Sequence, residues 1–233
     1  MRSHEQGVAD KFNAFLRRAG ERQSVAVHDF SLDGQDRDAG ADYLLSDASR
    51  FALMEFKFRE VNIRDEADKP RRKTLCQSLP RRPDMEHRHD RCHFIAWSDR
   101  LTQRINTNIY RKEACNCSVF GYSANLRDLE AEVASRVTAE QFAHEFLNPG
   151  LGLRSLDLPE FEAYLAWLMR DVSGATPSTL ELLASDPSRP YELTLVTLQS
   201  VSEAYRWMQK HRMRDEPEDE PDDGPSSFGP RFG

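Results

Sequence analysis

The sequence predicts an α/β fold: a mixed sheet flanked by helices, with a mainly helical C-terminal extension and a disordered acidic tail. Three observations predict it. Apolar residues at helical spacing open the chain, three apolar runs of strand length follow, and a fourth run, "CHFIAWS", comes after a basic helical stretch. The resulting order α, β, β, β, α, β suits a sheet with helices layered on its faces.

Each element has its own signal. In the first helix Ser3 and Gln6 match a capping box. Val8, Phe12, Phe15 and Leu16 form its apolar stripe, and Gly20 is the stop signal. Strands are expected at 24–30, 41–46 and 51–58, the last two joined by the short turn "DASR". A basic helix is expected at 70–79, and further strands at 92–98 and 117–123. Later, Thr138 with Gln141 and Asp157 with Glu160 make capping boxes for two more helices. "YELTLVTL" alternates like a strand, and Ser200 with Glu203 opens a last helix through Tyr205 and Met208. The expected division is an α/β core over 1–124, a mainly helical extension with one strand over 125–213, and a disordered tail over 214–233.

Charge is unevenly spread. The net charge is -7, but the segment 215–233 alone has seven acids against one Arg. That segment has almost no apolar content, so it cannot offset the entropy of ordering. Residues 57–104 hold thirteen Lys or Arg against eight Asp or Glu, a local excess that permits nucleic-acid binding. No apolar run approaches the roughly 20 residues that span a bilayer. "MRSHEQGVADKF" has no apolar segment of the signal-peptide kind, so a cytoplasmic location with no membrane partner is expected.

The informative stretch is "FALMEFKF", 51–58. Strand side chains alternate faces, so Glu55 and Lys57 share a face with Phe51 and Leu53, while Ala52, Met54, Phe56 and Phe58 take the other. Both faces are apolar upstream, which marks a central strand whose end becomes charged. Asp42 begins the preceding strand. If the two strands form a hairpin through "DASR", Asp42, Glu55 and Lys57 converge at its open end, within about 4–8 Å, the span of one shared metal site. Two carboxylates are the hard oxygen donors that Mg²⁺ prefers, and a nearby lysine can orient or help deprotonate water. Without metal the two acids repel, so Glu55→Gln is expected to leave the fold intact or slightly stabilised.

These residues resemble the PD-(D/E)XK nuclease superfamily: an acid on one strand, Asp42, then acid, any residue and Lys on the next, here "EFK". "AD" stands where the fuller pattern has Pro-Asp. The resemblance covers about half the chain, from Ser3 to Ser123. It implies a restriction-endonuclease-like fold, phosphodiester hydrolysis with Mg²⁺ or Mn²⁺, and DNA as substrate. It implies Asp42 and Glu55 as metal ligands, with Glu5 of the first helix as a further one and Lys57 on the attacking water. Gln77 is the polar residue that the basic helix would add to the site, and Arg71, Arg72, Lys73, Arg81 and Arg82 would contact phosphates. The resemblance also allows a homodimer, since nucleases that cut both strands often act in pairs. The alternative is a nuclease-like subunit without turnover, binding nucleic acid or assembling with a protein partner through the helical C-terminal region.

Other chemistries have less support. Cys76, His87, His89, Cys92 and His93 fit no standard zinc spacing, and Cys115 and Cys117 lack the usual gap of two. Structural zinc is therefore not expected, and four cysteines are too few for a disulfide scaffold, leaving free thiols as the expectation. No nucleophile elbow, phosphate-binding loop or dinucleotide fingerprint is present.

Overall fold

α1 (Arg2–Glu21) lays Val8, Ala9, Phe12 and Leu16 on one face of a sheet, and all four are buried. The computed structural model describes residues 2–32, 39–151, 154–174, 181–185 and 195–212. The helix starts one residue before the expected cap, and Gln6 reaches Asp10 and the Tyr43 hydroxyl. At Gly20 the chain doubles back so closely that a Cβ would lie 2.5 Å from the Val25 carbonyl oxygen, so only glycine fits without a shift.

Described strands form one mixed sheet. β1 (His28–Ser31), β2 (Tyr43–Ser46) and β3 (Arg50–Arg59) make an antiparallel meander. The chain then crosses over through a 3₁₀ segment (Glu60–Asp68), α2 (Pro70–Ser78) and α3 (Pro83–Cys92). β4 (His93–Asp99) returns parallel to β3, and β5 (Arg104–Ile109) pairs antiparallel with β4. α4 (Tyr110–Ala114) and α5 (Cys117–Phe120) follow. Then come β6 (Val137–Thr138), α6 (Ala139–Leu147), β7 (Leu156–Asp157) and α7 (Leu158–Trp167). β8 (Leu182–Ser185), β9 (Leu195–Leu198) and α8 (Val201–Arg212) complete the described chain. The strand order is β6-β5-β4-β3-β2-β1-β8-β9, with β7 paired to the start of β3.

β3 is central, as its apolar faces imply. Ala52, Met54 and Phe56 meet α1 and α6, with Phe12 and Phe142 among their partners. Phe51 and Leu53 join the opposite core, where α2, α3 and α7 contribute Leu75, Met85, Phe161 and Tyr164.

Several expectations need correcting. Segment 117–123 is not a strand: the Asn116 side chain accepts the Val119 amide and caps α5, and Gly121 at φ 77° ends it. The first strand starts at His28 instead of Ser24, whose positive φ of 56° keeps it out of the ladder. Cys76 and Cys115 are joined in a disulfide, leaving Cys92 and Cys117 as buried free thiols. The expected helical extension also supplies β6 to β9, and its helices pack into both cores, so the sheet runs across the boundary placed at 124. Strands of two to four residues are too short to show an alternating pattern. Caps at Thr138 and Asp157 form as expected, accepting the amides of Gln141 and Glu160. Of "YELTLVTL", only 195–198 is described, and it is β9. The acidic segment 214–233 lies outside the described residues. Among the described residues no helix is long and apolar enough to cross a membrane.

Candidate active site at the end of the central strand

Glu55 and Lys57 point from β3 into the core shared with α2, α3 and α7. Glu55 is 0% exposed and Lys57 is 3% exposed. Neither charge is left to itself. The Lys57 ammonium contacts Glu55, and its Nζ lies 2.8 Å from Glu66 Oε1. Lys69 Nζ lies 2.7 Å from Glu55 Oε1 and 2.8 Å from Glu66 Oε1. Arg72 places Nη2 2.9 Å from Glu55 Oε2 and Nε 3.2 Å from Glu66 Oε2. The Tyr110 hydroxyl donates to Glu66 Oε2 at 2.6 Å.

The crossover builds this cage from its 3₁₀ segment, the linking Lys69 and the start of α2. A 3₁₀ helix repeats every three residues, so positions i and i+3 eclipse. Ile63 and Glu66 are buried on one side; the 3₁₀ segment ends at Asp68, and the extended Lys69 leads into α2, where Pro70 occupies the first turn and Arg72 is buried. Pro there needs no amide partner and has a helical φ already.

Asp42 stands immediately before β2, whose first pair with β3 is Tyr43 with Met54. The paired Leu44 and Leu53 lie in the same core, so alternation brings Asp42 to the face of Glu55. Asp42 is half-buried, and its Oδ2 accepts the Phe56 amide at 2.6 Å. Burial, then the charge of Glu55, raises its pKa to about 7, against the pull of Lys57, the Phe56 amide and Lys69. Glu55 behaves oppositely. Burial would raise it, yet Lys57, Lys69 and Arg72 hold it well below the usual carboxylate range. Lys57 loses to burial but gains more from Glu55, Glu66 and Asp42, and stays well above the usual lysine value. Arg72 is likewise raised, by Glu55 foremost among the groups that oppose its burial.

The structure therefore brings Asp42, Glu55 and Lys57 together, and adds three residues that sequence reasoning missed: Glu66, Lys69 and Tyr110. The three-residue spacing of Glu66, Lys69 and Arg72 was the available signal. Arg72 is an interior ion partner and not a surface cation, because its first-turn position faces the strand. Gln77 donates to the Ala124 carbonyl at 2.8 Å and serves that loop instead. Glu5 is half-buried on α1, which covers the other face of the sheet, and none of the bonds that hold Glu55 or Lys57 involve it. Arg71, Arg81 and Arg82 are exposed and Lys73 is half-buried; Arg82 pairs with Asp84 at 2.9 Å.

Asp42 and Glu55 supply hard oxygens of the type Mg²⁺ takes, but both Glu55 oxygens already face Lys57, Lys69 or Arg72 and would have to be freed first. Among the described residues no group of three or more His, Cys, Asp or Glu side chains is arranged to hold a metal ion. A cation at Asp42 and Glu55 would then complete its shell with water and substrate oxygens, which is the usual state of Mg²⁺. No protein-family model, no curated protein and no solved structure matches this chain.

Proposed function

We propose that this chain is a metal-dependent nuclease of the PD-(D/E)XK type, with a restriction-endonuclease-like fold and DNA as its substrate. The observation that carries the reading is the meeting of Asp42, Glu55 and Lys57 on one face at the end of the β2–β3 hairpin. Asp42 and Glu55 would hold Mg²⁺ or Mn²⁺, which when bound polarises the phosphate and stabilises developing charge. Lys57 stays cationic at neutral pH, so its part is to orient water and phosphate by charge, and it is not the base. Lys69 is the most accessible cation of the cluster, with its side chain 38% exposed; its movement would open Glu55 to solvent. Arg71, Lys73, Arg81 and Arg82 would contact phosphates along the substrate.

A second reading is favoured by one specific observation. Glu55 is fully buried and both its oxygens already face cations. Such saturation suits a nuclease-like subunit that binds or assembles without turnover.

Incubation with single- and double-stranded DNA and RNA, with Mg²⁺ or Mn²⁺ and with chelator, decides between them. The nuclease reading expects metal-dependent cleavage that falls at least 100-fold in Lys57→Ala. Binding without cleavage by the wild type under every metal condition would leave the second reading.

A further inference from the structure

Three aromatic side chains form a buried hydrogen-bond chain that ends at Gly40, two residues before Asp42. His89 Nδ1 lies 2.7 Å from the Tyr164 hydroxyl, and that hydroxyl lies 2.8 Å from His93 Nδ1. His93 Nε2 lies 2.8 Å from the Gly40 carbonyl oxygen. All three rings are fully buried.

The backbone at each end fixes every proton. The Arg111 amide donates to His89 Nε2 at 3.1 Å, so that nitrogen is an acceptor and the ring proton is on Nδ1. His89 therefore donates to Tyr164. Tyr164 has one proton, which goes to His93 Nδ1. His93 must then carry its own proton on Nε2, where it donates to the Gly40 carbonyl. Every donor is matched, and the chain runs in one direction only. The rings are neutral at neutral pH: burial first, then Arg72, brings His93 down to about 3, and burial with His93 and Arg111 lowers His89.

Gly40 is placed with little freedom. Its φ is +76°, and an added Cβ would lie 2.5 Å from Arg72 Nη1 and 3.2 Å from His93 Cε1. The backbone is thus pressed between the ring that holds its carbonyl and the guanidinium that holds Glu55 and Glu66. Two residues later, Asp42 accepts the Phe56 amide.

We propose that His93 is a positioning residue for Asp42, with Tyr164 and His89 behind it. By holding the Gly40 carbonyl it sets the short lead from which Asp42 turns its carboxylate onto the Phe56 amide, beside Glu55. The chain ties α3 and α7 to the candidate site, so the C-terminal third of the protein takes part in shaping it. Any consequence for catalysis rests on the nuclease reading; the placement of Asp42 does not.

The Phe56 amide reports that placement directly, because its partner is the Asp42 carboxylate. Proton–nitrogen spectra of the full chain, with Asp42→Ala as the reference for a lost bond, test the proposal. His93→Gln keeps a donor where Nε2 stood, whereas His93→Asn keeps only the Nδ1 side. The Phe56 resonance is expected to stay near wild type in His93→Gln. In His93→Asn it should move toward the Asp42→Ala position, with amide exchange at least 10-fold faster. Tyr164→Phe, which removes one hydroxyl from the middle of the chain, should lie between. In the cleavage assay, His93→Asn should lower kcat with KM little changed. An unmoved Phe56 resonance in folded His93→Asn overturns the proposal, as does identical behaviour of the Gln and Asn variants. If both His93 variants fail to fold, an unmoved Phe56 resonance in Tyr164→Phe overturns it and a moved one supports it. An inactive wild type would defeat the nuclease reading while leaving the Phe56 outcome to decide this one.

Discussion

Arg72 and Glu55 form a buried ion pair, Nη2 to Oε2 at 2.9 Å, across the crossover that joins β3 to α2. Because the same guanidinium also reaches Glu66, it bridges two interior acids with one rigid fork, while Lys57 and Lys69 share in neutralising them. Without Arg72, Glu55 and Glu66 would still face Lys57 and Lys69, so the cost is the loss of charge-assisted hydrogen bonds and not the roughly 3–5 kcal/mol of a buried charge left with no partner. Urea unfolding of Arg72→Met should show a loss of about 1.5–3 kcal/mol, the worth of hydrogen bonds to charged groups. Arg72→Lys should recover only part of it, since an ammonium cannot span both carboxylates in the fork geometry. A loss below about 1 kcal/mol for Arg72→Met would place the pair among exposed, weak ones.

Gly40 should tolerate no side chain. Gly40→Ala combines a positive φ with a Cβ 2.5 Å from Arg72 Nη1. Backbone strain of this kind costs about 1–3 kcal/mol, and displacing Arg72 adds to it. A fall in thermal midpoint well beyond that of Gly150→Ala is expected, because a Cβ at Gly150 meets nothing within 4 Å. Equal midpoints would show that neither the positive φ nor the contact with Arg72 costs stability.

Glu55→Gln should cost more stability than Lys57→Met. Repulsion between Asp42 and Glu55 suggested that Glu55→Gln relieves strain. The structure reverses this, because Lys57, Lys69 and Arg72 all face Glu55. Glu55→Gln leaves Lys57, Lys69 and Arg72 to share the single charge of Glu66, whereas Lys57→Met leaves two cations for Glu55 and Glu66. Both should abolish metal-dependent cleavage, with Glu55→Gln losing the more stability by chemical unfolding.

Asp42 should make the protein less stable as pH rises. Its folded pKa is raised from 3.8 to about 7, so between these values the folded state binds the extra proton. Stability from this group is then lost as pH climbs from about 4 to about 7, and the cost is fully present above that. Asp42→Asn keeps an acceptor for the Phe56 amide and cannot ionise. It should be more stable than wild type at pH 8, with the difference vanishing by pH 4. A less stable variant at pH 8 would mean that the Asp42 charge is well compensated in the fold.

The pairing of Glu55 with Lys57, and their approach to Asp42, was legible in the sequence because strand geometry is local. A period of two puts both charges on one face, and the four-residue turn "DASR" leaves the hairpin little choice of register. The central place of β3 followed from apolar residues on both its faces. The acid–x–Lys spacing says nothing, however, about what will cover that face. Only the tertiary structure folds the crossover back so that Glu66, Lys69 and Arg72 line the strand. That turns an expected phosphate contact into an interior ion pair and encloses Glu55 among cations. Only chain packing brings Cys76 to Cys115, and His93 to Gly40 across a separation of 53 residues. The two-residue strands β6 and β7 are made by their neighbours, since so short a run has no preference of its own. Sequence thus determined which groups share a face, through the alternation of the backbone. Burial determined what each group does there, because in a desolvated interior a charge is governed by the partners that long-range packing delivers.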